Sequence, residues 1–163
     1  MLILGIDPGT ATTGYGLIEK KSSGFAVIDW GLIETDKKYS DPKRLSIIYT
    51  QMLALFRKYS PDVMAIERIF FATNAKTAIN VGQALGVMLL AAVKSKVEIE
   101  QYAPGTIKKM ITGDGRADKK KMQIELRKRL GNQVKSAKKK KTHFDNAADG
   151  LAVALCHVLT ERG

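Results

Sequence analysis

Apolar and polar residues along the chain first follow the pattern of β-strands. Short apolar runs are bounded by turn residues, which is typical of buried strands. Because a brief polar loop, Lys21–Gly24, separates the second run from the third, we expect the first three strands to form an antiparallel meander. The strands are expected at Leu2–Asp7, Gly14–Glu19, Phe25–Thr35, Asp62–Glu67 and Val97–Tyr102.

Apolar residues at spacings of three and four predict helices between and after the later strands. The first helix is expected to start at Asp41, with Asp41 as N-cap and Pro42 at the first helical position. A long helix is expected to begin at Asn74 or Thr77 and to end at Val93. The other predicted helices are Thr106–Ile111, Asp118–Leu130 and Asn146–Thr160, and a polar connector is expected at Gly131–Thr142.

This order of elements predicts one mixed α/β domain over residues 1–163. It lacks the strict βαβ alternation of a dinucleotide fold, and the sequence contains neither the G-x-G-x-x-G motif nor the P-loop motif G-x-x-x-x-G-K-[ST]. The longest apolar run, Val87–Val93, is far shorter than the roughly 20 residues of a membrane span, so we expect no membrane segment. A single cysteine, Cys156, excludes an internal disulfide framework, and a cytoplasmic location is expected.

Positive charge is concentrated in one part of the chain. The sequence holds 27 Lys and Arg against 16 Asp and Glu, a net charge of +11. Residues 101–145 alone carry 14 basic and 4 acidic side chains, a net of +10. A charge run is often only a solvated face. On an otherwise nearly neutral domain, however, such a concentration favours binding to a phosphate backbone.

Three carboxylates occupy positions that are unfavourable for a charge. Asp7 and Glu67 each end an apolar strand, and Asp149 interrupts an apolar helix. The two carboxylates at the strand ends each have an ordinary alternative role, since Asp7 can open a turn with Pro8 and Glu67 can pair with Arg68. Together they suggest an acidic cluster at one sheet edge that a divalent cation neutralises.

Oxygen ligands without a set of Cys or His side chains favour Mg²⁺ or Mn²⁺ over zinc. An acidic metal site beside a basic face predicts phosphodiester hydrolysis, with two cations assisting an in-line displacement.

Several segments also carry a family resemblance, which spans the whole chain in the same order. They are Ile3–Thr10 (ILGIDPGT), Thr13–Gly16, Ala65–Glu67 with Phe70 and Asn74-Ala75 after it, Gln83–Gly86, and Asn146–Ala154 (NAADGLAVA). These segments resemble the RuvC-type Holliday-junction resolvases of the ribonuclease H-like superfamily.

The resemblance implies an α/β fold with a five-stranded mixed sheet, its first three strands antiparallel, flanked by helices. It implies a homodimeric endonuclease that nicks a DNA four-way junction symmetrically in recombination and repair. Two Mg²⁺ ions per active site are implied, with Mn²⁺ as a substitute, and a branch-migration motor as a partner.

The resemblance also assigns catalytic and metal-binding positions. Asp7, Glu67 and Asp149 match three of the four positions of the family, and Asn146 stands at the fourth, where an acid is usual. An amide oxygen can touch a metal, but it carries no charge. Either Asp145 substitutes from one position earlier, or Asn146 reflects an isosteric Asp-to-Asn change that impairs cleavage, which is the explanation we favour. A junction-binding protein without catalytic activity is the alternative function.

DNA-binding residues follow from the resemblance and from the basic segment. Phe70 matches a family aromatic that stacks on bases near the crossover, although it could instead be a core residue. Any single lysine could simply be solvated, but as a set these residues favour phosphate contacts. Besides Phe70, the candidates are Lys108, Lys109, Arg116, Lys119, Lys120 and Lys121.

Overall fold

The structure, a computed structural model, describes residues 1–69, 75–134 and 141–161, without the side chains of residues 141–146. Its strands are β1 (Leu2–Asp7), β2 (Thr12–Lys21), β3 (Gly24–Glu34), β4 (Val63–Glu67) and β5 (Glu98–Tyr102). Its helices are α1 (Asp41–Tyr59), α2 (Ala75–Lys94), α3 (Pro104–Thr112), α4 (Lys119–Leu130) and α5 (Lys141–Thr160), with a short 3-10 helix at Gly131–Val134.

The five strands form one mixed sheet in the order β3-β2-β1-β4-β5. β1 pairs antiparallel with β2, and β2 with β3, which confirms the predicted meander. β4 pairs in parallel with β1, and β5 with β4. Because β1, β4 and β5 run in the same direction, their carboxyl ends meet at one edge of the sheet.

Helices cover both faces of the sheet, so alternate strand residues enter two separate cores. Ile3 of β1 packs into the core formed with α3, α4 and α5. Leu4 and Ile6 of the same strand pack into the core formed with α1 and α2. The sheet is therefore buried between two helical layers, and chemistry is confined to its edges.

Several helix boundaries differ from the sequence-based prediction. Ser40, not Asp41, is the N-cap of α1, and Asp41 lies in the first turn, where a carboxylate interacts favourably with the helix dipole. α3 begins at Pro104, because proline is well suited to a first turn. α5 begins at Lys141 instead of Asn146, since its first residues are polar and give no apolar periodicity to detect. α4 runs over Lys119–Leu130, and Asp118, expected as its first residue, is instead its N-cap, with its carboxylate accepting from the Lys121 N–H at 2.7 Å.

One helix, α2, has the length and hydropathy of a membrane span within the residues that the structure describes. Core helices of globular proteins pass the same test. Ala84, Met88, Ala91 and Ala92 form its buried side. Only 22% of its apolar window is buried, so a large part of this helix is left uncovered.

The two outer strands differ in how their free sides are occupied. On β3, the Val27 N–H donates to the side-chain oxygen of Gln133 at 2.7 Å, so the 3-10 helix covers part of that edge. On β5, Glu98 and Glu100 are exposed.

α5 lies directly on the sheet because glycines remove the side chains between them. A Cβ atom added to Gly5 of β1 would overlap the carbonyl oxygen of Gly150 and the nitrogen of Ala154. A Cβ on Gly16 would come within 2.6 Å of the Leu151 Cα, so β2 is in equally close contact with the helix. The distance of α5 from the sheet is therefore set by backbone contact.

We expect Gly5→Ala to destabilise the protein by about 3 kcal/mol, because the new methyl group would force the helix off the sheet. Gly105→Ala is the matched control, since the nearest atom to its added Cβ is 3.8 Å away. Urea unfolding measures both variants. Equal stability of the two would contradict the close packing of α5.

Candidate active site

The three carboxylates predicted to cluster are brought to the same edge of the sheet. Asp7 ends β1 and Glu67 ends β4, and the preceding residues Ile6 and Ile66 are paired in the parallel register. Asp149 reaches this edge from α5, one residue before the Gly150 that contacts β1 and β2. Strand ends and a close-packed helix thus place acids from distant parts of the chain together.

Burial and mutual repulsion perturb the carboxylates at the strand ends. Burial, followed by the charges of Asp149 and Glu67, raises the pKa of Asp7 to about 7. Burial and the charge of Asp149 also raise the pKa of Glu67. The cations Lys108 and Lys119 oppose the rise at Glu67. The site therefore holds more negative charge than its own lysines neutralise.

Lysines from two helices face these acids. The Nζ of Lys119, at the start of α4, lies 3.0 Å from Oδ2 of Asp149. A cavity of about 230 Å³ is lined by Glu67, Asp149, Lys108 and Lys119, with apolar walls from α3, α4 and α5. This arrangement offers cationic groups to an anion that approaches the carboxylates.

A chain of hydrogen bonds holds the loop that follows Asp7. The Thr13 hydroxyl donates to the Gly9 carbonyl at 2.7 Å. The Thr10 hydroxyl donates to the carbonyl of Asn80 in α2 at 3.0 Å. Thr35 donates to the Thr10 carbonyl at 2.6 Å. The loop is thereby fixed to β2, to α2 and to the end of β3.

A second cavity, of about 270 Å³, is also lined by Glu67. Asp7 lines it as well, together with Arg68 and Ile69, which follow β4. Pro104 lines both cavities. No ion pair joins Arg68 to Glu67, or to any other part of the chain that the structure describes, so the pairing considered from the sequence does not form.

Several predicted site residues lie outside the described residues. Phe70 is one of them, and the side chains of Asp145 and Asn146 are two more, although both residues belong to α5. Within the part that is described, no three Asp, Glu, His or Cys side chains form a ready-made metal site. The acidic cluster is thus a set of converging carboxylates, not a closed coordination sphere.

The remaining basic candidates do not line the cavity. Lys109 is exposed on α3, and Arg116 and Lys120 are exposed near the start of α4. Lys121 forms an ion pair with Asp114, with an Nζ to Oδ2 distance of 3.2 Å. Of the six predicted basic residues, only Lys108 and Lys119 line the cavity.

Sequence reasoning missed the residues that shape the second cavity. Arg68 was considered only as a partner for Glu67, and Pro104 was given no role. Val81 was placed on a long helix with no role. Arg68 follows Glu67 at the end of β4, and Pro104 lies two residues after the end of β5. This position at the carboxyl edge of the sheet is the signal that could have identified them.

A five-stranded mixed sheet in this order, with acids at the carboxyl edge and on the covering helix, defines the fold of the ribonuclease H-like superfamily of nucleases. The chain belongs to the family described as crossover junction endodeoxyribonuclease RuvC, whose family model matches residues 3–157.

Similar proteins agree with this assignment. A crossover junction endodeoxyribonuclease RuvC of Caldicellulosiruptor saccharolyticus is 45% identical over 162 residues, which cover 98% of this chain and 93% of the relative. The same-named protein of Halothermothrix orenii is 45% identical over 158 residues, covering 96% of this chain and 92% of the relative. RuvC of T. thermophilus, solved in complex with a Holliday junction substrate, has a TM-score of 0.83 at 26% identity and covers 99% of this chain and 96% of its own.

We expect Asp7→Asn to stabilise the cation-free protein at about pH 8 and to change little at about pH 4. The folded-state pKa of Asp7 is raised, so its stabilising contribution is present below the unfolded value of 3.8 and is lost as the pH rises through about 7. The gain at high pH should reach at most about 4 kcal/mol. Urea unfolding with a chelator present measures it, with exposed Glu98→Gln as the control. An equal effect of Asp7→Asn at both pH values would show that burial and repulsion at the edge do not raise the pKa of Asp7.

Proposed function

We propose that this protein is a structure-specific endonuclease that resolves Holliday junctions by paired symmetric nicks in recombination and repair. The observation that carries the proposal is the meeting of three carboxylates from β1, β4 and α5 beside a cavity that two lysines line. Membership of the RuvC family supports it. The T. thermophilus relative, solved with a Holliday junction substrate, supports a four-way junction as the DNA partner.

We propose Mg²⁺ as the cofactor, two ions per site, with Mn²⁺ able to substitute. The donors fit a hard divalent cation, because they are carboxylate oxygens that are partly buried and that repel one another. Asp7, Glu67 and Asp149 would hold the cations, and Asn146 could add an amide oxygen. When bound, the two cations supply electrostatic stabilisation of the charge that develops during an in-line displacement at phosphorus.

The protein's own side chains then have separate tasks. Asp7 must be deprotonated to bind a cation, and its pKa of about 7 makes that step dependent on pH near neutrality. Lys119 balances the charge of Asp149 in the cation-free protein. Lys108 and Lys119 are placed to hold the phosphate next to the acids, since both line the same cavity as Glu67 and Asp149.

The DNA arms would lie on the basic surface around this cavity. Lys109, Arg116, Lys120 and Lys121 are exposed there and would contact phosphates, which fix position without reading sequence. Phe70 stays a prediction, as do the branch-migration motor and the cytoplasmic location.

Asn146 decides between an active nuclease and a junction-binding protein. It lies three residues before Asp149 on the same helix, so the two positions share a helix face. An Asp at this position would add a negative charge to the cation site, whereas Asn adds none. The neighbouring Asp145 is four residues before Asp149 and could supply the missing charge instead.

We propose a homodimer formed through the uncovered side of α2. On this side, the positions Ile79, Gly82, Gly86, Leu90 and Val93 follow one another at spacings of three and four. The large apolar side chains among them, Ile79, Leu90 and Val93, are 61%, 51% and 64% exposed. A Cβ added to Gly82 or Gly86 would meet nothing within 4 Å, although each helical glycine costs about 1 kcal/mol relative to alanine. Close approach of a second copy would compensate that cost, and a symmetric partner would cover the stripe.

Nicking of a synthetic four-way junction in Mg²⁺ tests the proposed activity. We expect Asn146→Asp to increase the rate of nicking and Asp149→Asn to reduce it at least about 100-fold while junction binding is retained. Glu98→Gln, an exposed change on β5, should leave the rate unchanged. If neither the present sequence nor Asn146→Asp nicks the junction, the protein is a junction binder without catalytic activity.

The oligomeric state tests the α2 surface. We expect Leu90→Asp to convert a dimer into a monomer in analytical ultracentrifugation, because a carboxylate would be buried without a partner. Ile124→Asp, at a 44% exposed position on α4, is the matched control and should stay dimeric. A dimer that survives Leu90→Asp would place the interface elsewhere.

A further inference from the structure

A histidine near the end of α5 is buried and hydrogen-bonded to strand β5. His157 is only 3% exposed, and its Nδ1 lies 2.7 Å from the hydroxyl oxygen of Tyr102, the last residue of β5. The two rings meet edge to face, with their centroids 6.0 Å apart. Burial lowers the pKa of His157 and raises the pKa of Tyr102 to about 12, so both groups are uncharged at neutral pH.

This hydrogen bond leaves the other ring nitrogen of the histidine unsatisfied. Nε2 of His157 is buried, and no group in the described part of the chain forms a hydrogen bond with it. An uncharged imidazole has one donor and one acceptor nitrogen, so Nε2 lacks a partner whichever nitrogen carries the proton. An unsatisfied buried group costs stability, whereas an apolar side chain of similar size would not. Stability alone therefore does not account for a histidine at this position.

Tyr102 also contacts the strand that ends in Glu67. It is the register partner of Glu67 in the parallel pairing of β4 with β5. Its carbonyl accepts the N–H of Arg68, the residue after Glu67, at 2.8 Å. Tyr102 thus joins the acidic end of β4, through its backbone, to α5, through its hydroxyl group.

His157 belongs to the same helix as Asp149. It follows Asp149 by eight residues, which is about 12 Å along the helix axis. The close glycine contacts of α5 are with β1 and β2. Contact in one region sets how closely a helix approaches a sheet, but a second point is needed to set the direction of its axis. The hydrogen bond to Tyr102 supplies that second point on the β4 and β5 side of the sheet, where Glu67 lies.

We propose that Tyr102 and His157 are positioning residues that hold Glu67 and Asp149 at the separation needed to share a divalent cation. The inference rests on the proposed function and deepens it, because it names a residue pair that controls the cation affinity of the same site. Neither residue of the pair lines the two cavities at the acidic edge, so the pair acts through the carboxylates and not by touching the cation.

Cation binding to a doubly substituted protein tests this role. Tyr102→Phe combined with His157→Leu replaces the hydrogen bond by an apolar contact and removes the unsatisfied Nε2. We expect the midpoint of urea unfolding to be unchanged or higher, because both polar partners are removed together. Isothermal titration with Mn²⁺ should nevertheless show an affinity at least about 10-fold weaker, as is typical when groups that orient metal ligands are replaced.

Two further measurements separate positioning from a general effect on the fold. His157→Asn keeps a hydrogen-bonding atom attached to Cγ, as Nδ1 is, and should restore most of the Mn²⁺ affinity. In the Asn146→Asp background, the double variant should need more Mn²⁺ for half-maximal nicking of a four-way junction, while the rate at saturating Mn²⁺ is retained.

Tyr59→Phe is the matched control. It removes another tyrosine hydroxyl that donates a hydrogen bond, in this case to Asp29 of β3, the strand at the opposite edge of the sheet from β5. Its Mn²⁺ affinity should equal that of the unchanged protein, whatever the effect of the substitution on stability.

The outcomes distinguish this inference from the proposed nuclease function. Unchanged Mn²⁺ affinity in the double variant would overturn the positioning role, and so would a weaker affinity that is accompanied by a lower unfolding midpoint. If the double variant does not fold, Tyr102→Phe alone decides, and an affinity equal to that of Tyr59→Phe would overturn the role.

The activity assay fails independently of the binding assay. If the double variant loses Mn²⁺ affinity as expected but neither the present sequence nor Asn146→Asp nicks a junction, the nuclease function is wrong and the positioning role stands. If the unchanged protein binds no Mn²⁺, the proposed cation site is wrong and the positioning role with it.

Discussion

The direct contact between α5 and the sheet is the constraint on which the site depends. Gly5 and Gly16 present no side chain to the helix, and Gly150 presents none to β2, so the backbones of the helix and the strands lie in close contact. Asp149 precedes Gly150, and its distance from the strand ends is therefore fixed by this packing. A helix held further away by ordinary side chains would carry Asp149 out of reach of the two acids on the sheet. The acid in the apolar helix α5 and the glycines in strands β1 and β2 therefore act together to position the carboxylate.

This packing brings like charges together at a cost that the protein only partly offsets. Taking carboxylates out of water and placing them side by side raises their free energy unless cations are present. Lys108 and Lys119 reduce the repulsion but come from α3 and α4, which belong to the same basic segment that would bind DNA. The site is therefore poised for additional positive charge. Its loop is meanwhile bonded through Thr10 to α2, so the uncovered helix and the acidic edge are mechanically connected.

Much of this architecture follows from simple features of the sequence, and the failures have physical causes. The strands and their meander could be predicted because short apolar runs and short polar loops are local signals. The acids could be predicted because a carboxylate that ends an apolar run is unfavourable on its own. The first turns of α5 could not be predicted, since a polar stretch gives no apolar periodicity. Arg68 and Val81 could not be assigned to a cavity, because residues from β4 and α2 meet there only through the tertiary fold.

The two outer strands show how the sheet ends without a further partner. The Gln133 side chain accepts the Val27 N–H that an added strand would otherwise use on β3. Exposed Glu98 and Glu100 on β5 place negative charge beside the backbone groups that face outward. Both arrangements disfavour self-association by strand addition. The Gln133 contact occupies a donor of β3, and the acidic side chains of β5 repel an identical strand. A protein this basic can consequently reach high local concentration on DNA without its sheets joining into aggregates.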